Sequence, residues 1–190
     1  MIDGTSRLCD DGEIASIVEC VQDHDERGLD LIEAALASFP QDPRLHYLKG
    51  SVLVGTKRFV AAHKAMSRAI AIDPDYHLAR FQLGLFELTS GEPQAAFDTW
   101  KSLDSLASET WMRLFVDGLH HLVADRFDEC VAALRAGIAA NQENPPLNAD
   151  MQLIIDQCAS LTGAGREVCP DEELSAASLL LGSVTQRGKH

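Results

Sequence analysis

Apolar residues recur every three to four positions along most of the chain, and no stretch alternates apolar and polar residues with a period of two. The first pattern is that of amphipathic helices, and the lack of the second argues against strands. Met151, Ile154, Ile155 and Cys158, for example, would share one face of a helix. The predicted helices cover residues 12–23, 27–39, 43–55, 58–72, 74–89, 93–103, 109–123, 127–140 and 148–161.

Prolines and short polar residues predict where several of these helices begin. Asp42 and Asp73 each precede a proline, a combination that suits a capping carboxylate followed by proline in the first turn. Ser108 is predicted to cap the helix that runs to residue 123. The two prolines after Asn144 are predicted to end the repeated pattern before the last helix.

Three sets of residues repeat with a period of 34 residues. Two sets consist of small residues, and the third consists of large residues. These sets are Gly50, Gly84 and Gly118; Ala62, Ala96 and Cys130; and Met66, Trp100 and Leu134. A fixed period in this range indicates a helix pair that is stacked on copies of itself. Small residues let the two helices of a pair approach, and large residues fill the space beside them.

This pattern resembles the tetratricopeptide repeat family, whose motif has Leu-Gly in the first helix, then a small residue and a large residue in the second. Leu83-Gly84, Ala96 and Trp100 match it directly. The resemblance covers about residues 9–142 and implies an all-α, right-handed α-solenoid of antiparallel helix pairs with a C-terminal capping helix. The implied repeat domain spans residues 1–165, with units at about 9–42, 43–76, 77–110 and 111–144 and the cap at 148–162.

The last part of the chain, residues 166–190, differs from the repeats. Residues 171–181 could form one more helix, which carries the apolar run Ala176, Ala177, Leu179, Leu180 and Leu181. The end of the chain is predicted to be a flexible tail. Two possibilities stay open for this segment: it docks on an apolar surface of its own chain or of a second copy, or it extends the solenoid.

The resemblance also implies a partner surface, because first helices line the concave face in this family and partners usually lie there. The positions expected to face inward form an apolar groove. They are Tyr47, Ser51, Val54, Leu78, Phe81, Leu85, Leu88, Met112, Phe115, Leu119 and Leu122. The expected partner is a peptide or an amphipathic helix. The alternative for the same residues is ordinary core packing against neighbouring helices.

Charge and cysteine content narrow the class of partner. The net charge is −13, and nine acidic residues lie within the first thirty positions, so nucleic acid and anionic membranes are disfavoured. No apolar run reaches the ~20 residues of a membrane helix, and no signal peptide is visible. The five cysteines are an odd set without close pairs and are expected to be reduced. These features predict a cytoplasmic protein.

No arrangement of residues predicts catalysis, a cofactor or a metal. Cys20 and His24 have a spacing that can hold a metal, but no second pair accompanies them. The sequence therefore predicts a non-catalytic module for protein–protein interaction, an adaptor or scaffold. Two alternatives are a structural subunit or homo-oligomer, such as a homodimer, whose groove is permanently occupied, and a small acidic chaperone for a secreted or assembly client.

Overall fold

The computed structural model describes residues 8–21 and 26–163, and this part of the chain is helical without strands. The helices are α1 (Asp11–Val21), α2 (Glu26–Ser38), α3 (Pro43–Gly55), α4 (Phe59–Ile72), α5 (His77–Thr89), α6 (Pro93–Trp100), α7 (Trp111–Val123), α8 (Phe127–Ala140) and α9 (Pro145–Gly163). A 3₁₀ helix, Lys101–Ser105, continues α6. The chain divides into two compact units, Met1–Leu83 and Gly84–His190, and the division falls within α5.

In the first unit, helices that are consecutive in the chain pack against each other: α1 against α2, α2 against α3, and α3 against α4. The core is apolar and includes Ile17, Ile32, Leu45 and Leu53. Gly50 of α3 lies where the helix meets α4, and a Cβ added to it would come within 2.5 Å of the Met66 side chain. The small residue predicted at the helix crossing is therefore required by close packing.

In the second unit the same arrangement recurs with different large residues. The side chain of Trp100 on α6 lies against Gly84, and the side chain of Leu134 on α8 lies against Gly118 of α7. Both large residues are buried. The last helix, α9, packs on α8 with the apolar face predicted for it, and Met151 and Cys158 are fully buried. The glycines of the 34-residue period thus serve one purpose in both units.

Of two predicted helix starts, one agrees with the structure and the other is shifted. Asp42 caps α3 as predicted, because its carboxylate accepts a hydrogen bond from the Arg44 N–H at 2.9 Å and a proline follows it in the first turn. The prolines at 145 and 146 do not precede the last helix but begin it, so α9 starts at Pro145 rather than at 148. A first turn tolerates proline because its N–H groups have no intrahelical partner.

Two other predicted caps were wrong. The carboxylate of Asp73 accepts a hydrogen bond from the Asp75 N–H in a turn, and α5 begins only at His77. Ser108 donates its hydroxyl hydrogen to the carboxylate of Glu109, and α7 begins at Trp111. The Asp73 side chain thus forms a local turn contact that competes with helix initiation, whereas the Ser108 hydroxyl is taken up by the neighbouring side chain.

The all-α class predicted from the sequence is confirmed for the described residues. The handedness of the array and the division into repeat units remain predictions. The possible helix at 171–181 and the remainder of 166–190 lie outside the described residues. Within residues 8–21 and 26–163, none of the helices combines the length and the apolar character that crossing a bilayer requires.

Candidate protein-interaction surface

The predicted partner residues of α3 form a half-buried stripe along one side of that helix. Tyr47, Ser51 and Val54 are all half-buried. The Tyr47 ring meets the Tyr76 ring edge to face, with 5.6 Å between the centroids. The Ser51 hydroxyl donates to the Tyr47 carbonyl oxygen at 3.2 Å. The stripe therefore combines aromatic and aliphatic surface that is partly open to a partner.

Tyr47 of this stripe and the neighbouring Tyr76 both stay protonated at neutral pH. Burial raises the pKa of Tyr47. Burial also raises the pKa of Tyr76, and the neighbouring Tyr47 phenol adds to the increase. A neutral phenol both donates and accepts hydrogen bonds, so each ring offers an apolar edge and one polar atom.

The two predicted partner residues of α5 in the first unit differ from each other. Leu78 is half-buried, whereas Phe81 is fully buried with 0% of its surface exposed. The Phe81 ring is thus part of the core, which is the alternative interpretation that the sequence left open. A partner cannot contact it in this conformation.

In the second unit, Leu85 and Met112 are half-buried, and the other four predicted partner residues belong to the core. These four, each 0% exposed, are Leu88, Phe115, Leu119 and Leu122. Phe115 shows the physical reason. Its ring lies against the backbone of Gly137 on α8, in the space that a side chain would fill, and its centroid is 5.6 Å from that of Trp111.

A buried ion pair holds the start of α3, which carries the stripe. Arg44 donates to both carboxylate oxygens of Asp42, at 3.1 and 2.7 Å, and Asp42 also accepts from the backbone N–H of Cys9 at 3.0 Å. Burial alone would raise the pKa of Asp42, but these hydrogen bonds outweigh burial and hold the pKa below its usual value. The residues before α1 are thereby tied to α3.

Cys9 and the other cysteines described are free thiols. Burial, together with the nearby Glu13, raises the pKa of Cys9 to about 11, so its thiol stays protonated and unreactive at neutral pH. In residues 8–21 and 26–163, no group of three or more His, Cys, Asp or Glu side chains is arranged to hold a metal ion. Cys20 is exposed, and the His24 considered with it lies outside the described residues.

A second surface of the first unit was missed by the sequence analysis. A cleft of about 280 Å³ lies between α3 and α4. It is lined by basic and small side chains, namely His46, Lys49, Ala61, Lys64, Ala65 and Arg68. The sequence does carry a signal for this surface, because residues 43–72 contain no Asp or Glu. The net charge of the whole chain conceals this local reversal of sign.

A comparison with protein families finds a similarity that lies in the first unit. A family model described as tetratricopeptide repeat matches residues 26–77. These residues are therefore similar to tetratricopeptide repeats. The match confirms the family that the glycine and alanine pattern predicts. No curated protein matches the chain.

The tetratricopeptide repeat match contains α2, α3 and α4 and ends at the first residue of α5. The half-buried stripe on α3 and the basic cleft between α3 and α4 both lie within it. Tetratricopeptide repeats generally mediate protein–protein interaction and are generally non-catalytic scaffolds. The two surfaces are therefore the places where a protein partner is to be sought.

Proposed function

We propose that this tetratricopeptide repeat protein is a non-catalytic adaptor or scaffold that binds a peptide or an amphipathic helix of another protein. One observation carries the proposal: α3, which lies within the matched residues, exposes part of an aromatic and aliphatic stripe, Tyr47, Ser51 and Val54. A side chain that is half-buried is already held in place by its neighbours. It therefore loses little conformational freedom when a partner covers the rest.

The proposed contact residues are the half-buried members of the predicted groove. In the first unit these are Tyr47, Ser51, Val54 and Leu78, and in the second unit Leu85 and Met112. Covering apolar surface contributes roughly 25 cal/mol per Å² before the costs of ordering, so binding depends on how much of each side chain remains open.

Site-specific photo-crosslinking tests this surface because it captures whichever protein touches one chosen position. A photoreactive amino acid is placed at Ser51 in one variant and at Ala71 in a control variant, because Ala71 is an exposed residue of α4 outside the predicted groove. We expect a discrete crosslinked protein from Ser51 in an extract of the source cells and none from Ala71. Circular dichroism checks that both variants keep their helices.

Two outcomes would contradict the proposal. Equal crosslinking from both positions would indicate non-specific contact, and no crosslink from Ser51 would remove the stripe from consideration. Cys9 and Cys130 are not in disulfides, which is compatible with a reducing compartment, and we therefore propose that the interaction takes place in the cytoplasm.

A further inference from the structure

Positive charge is concentrated in one helix pair of an otherwise acidic chain. Residues 43–72, which span α3 and α4, contain six of the 16 Lys and Arg residues and none of the 29 Asp and Glu residues. Two histidines lie in the same stretch. Mixed charges are the ordinary composition of a solvated surface, so a segment of thirty residues with one sign only, opposite to that of the chain, calls for a physical explanation.

The structure gathers part of this charge around a cleft. Lys49 projects from α3, and Lys64 and Arg68 project from α4, one helical turn apart. Between them the floor is made by Ala61 and Ala65, whose small side chains leave room for a ligand. The cleft of about 280 Å³ can therefore take an extended side chain with an aliphatic stem and a charged end.

The cations around this cleft are only partly neutralised by the chain itself. Lys49 contacts the carboxylate of Glu33 at 3.0 Å, and Arg68 donates to the side-chain oxygen of Gln41 at 2.9 Å. Lys64 is exposed and has no hydrogen bond or ion pair with any residue that the structure describes. The pairing of Lys49 with the Glu33 carboxylate shows the chemistry that these cations attract.

We propose that the cleft between α3 and α4 binds an acidic segment of a partner protein, with carboxylates that contact Lys64 and Arg68 and an aliphatic stem over Ala61 and Ala65. Charge complementarity carries this assignment. The cleft is separate from the stripe that contains Tyr47 and Ser51 in the proposed function, so either surface can fail its test without the other.

A nucleic acid fits this surface less well than a short acidic peptide. Lys64 and Arg68 are four residues apart on one helix, which corresponds to about 6 Å along its axis. A phosphate backbone extends further and would meet the acidic residues of the same unit. Those on the neighbouring α1 and α2 and just before them include Asp10, Asp11, Glu13, Glu19, Asp30 and Glu33. A peptide whose negative charges extend over only one or two turns of α4 avoids this repulsion.

The test uses a fluorescein-labelled peptide of alternating glutamate and alanine, and its binding to the full chain is measured by fluorescence anisotropy at low ionic strength. In the test variant, Lys64→Glu and Arg68→Glu are combined. In the control variant, Lys101→Glu and Arg135→Glu produce the same change in net charge at exposed positions of the second unit. We expect the wild type and the control to bind, and the test variant to bind at least roughly tenfold more weakly.

Further measurements keep the proposal falsifiable. A peptide of alternating glutamine and alanine should not bind, and Lys64→Gln with Arg68→Gln should weaken binding less than the glutamate pair. Circular dichroism checks that each variant is folded. Absence of binding by the wild type, or an equal loss in test and control variants, would overturn the proposal.

Two other results would reassign the surface. An oligothymidylate that binds more tightly than the glutamate peptide, and is lost in the same variant, would indicate nucleic acid instead. Salt-sensitive self-association of the wild type that Lys64→Glu with Arg68→Glu abolishes, without any binding of the glutamate peptide, would indicate a second copy of the chain.

Discussion

The helix pairs α3–α4 and α7–α8 are two periods apart in sequence and use the same interlock at their crossing. In each pair a glycine of the first helix faces a large side chain of the second: Gly50 faces Met66, and Gly118 faces Leu134. The pairs differ in whether the second helix also has a glycine that receives a large side chain of the first helix. In α7–α8 a second glycine, Gly137, admits the ring of Phe115, and the interlock works both ways.

The residues at the equivalent positions of α3–α4 are Tyr47 and Ala69. Tyr47 is half-buried, whereas Phe115 is fully buried. The same aromatic position is thus half-buried in one pair and fully buried in the other. The residue 22 positions later also differs, because it is Ala69 in the first pair and Gly137 in the second. In these two pairs, the aromatic ring is fully buried where the second helix has a glycine and half-buried where it has an alanine.

Truncation of the two aromatics should give the largest difference between the pairs. We expect Phe115→Ala to lower the free energy of unfolding by about 3–5 kcal/mol, because it leaves a cavity in the core. Tyr47→Ala should cost less, since part of its ring already contacts water. Urea denaturation followed by circular dichroism measures both values. Equal losses would show that the two rings are equivalent despite their different exposure.

The starts of the first helices differ as well, and Asp42→Asn tests that difference. α3 begins with the buried pair of Asp42 and Arg44, whereas the side chain of Thr110 does not cap α7. Breaking a fully buried pair costs about 3–5 kcal/mol, and we expect roughly 2–3 here because Arg44 is partly exposed. Thr110→Ala should have a much smaller effect. Amide hydrogen exchange in α3 and α7 localises each change.

The same pair predicts an acid dependence of stability. The pKa of Asp42 is lowered from its usual 3.8, so its contribution is complete above pH 4 and is lost as the pH falls through the lowered pKa. Asp42→Asn should flatten the loss of stability in this acidic range and leave its other pH dependence unchanged. An unchanged acid profile in the variant would mean that the Asp42 carboxylate does not stabilise the fold.

The residues that oppose the aromatics give the next effect. A Cβ at Gly137 would overlap the Phe115 ring, which is fully buried and has no room to turn away. Gly137→Ala should therefore destabilise the protein by about 1–2 kcal/mol, although alanine favours the helix. Ala69→Gly, the matched change in α4, should cost only about 1 kcal/mol through helix propensity. Stabilisation by Gly137→Ala would contradict the interlock.

The smallest effect is expected from exposed ion pairs. Lys49 and Glu33 join α3 to α2, whereas Arg113 pairs with Asp117 one turn along α7. Glu33→Gln and Asp117→Asn should each lower the free energy of unfolding by less than about 1 kcal/mol, because these carboxylates are well exposed. The differences should vanish in concentrated salt. If either difference in the free energy of unfolding persists in concentrated salt, the carboxylate stabilises the fold by more than its ion pair.

The sequence predicts the helix pairs well because their cause is local. Close approach at Gly50, Gly84 and Gly118 requires a residue without a Cβ, and the spacing of such residues can be read directly from the sequence. Helix starts were predicted less well at Asp73 and Ser108, because the Asp73 side chain forms a turn contact and the Ser108 side chain bonds to Glu109 instead of capping a helix.

The interaction surface could be predicted only in part. A period assigns Phe81 and Phe115 to the inward side of a helix, but it does not say whether the facing helix covers them. For Phe115 the answer depends on Gly137. The hydrogen bond from the Cys9 N–H to Asp42 is likewise a tertiary contact, which no local pattern encodes. The basic cleft, by contrast, could be predicted from a charge count of each repeat.

The aromatic residues described above divide between the units in a way that gives each an optical signal. The two tyrosines, Tyr47 and Tyr76, lie in Met1–Leu83, and the two tryptophans, Trp100 and Trp111, lie in Gly84–His190. Second-derivative absorbance separates the two chromophores, so one denaturation experiment on the unmodified chain can report on each unit. Coincident midpoints would mean that both units melt as one cooperative block, and separate midpoints would mean that each can open alone.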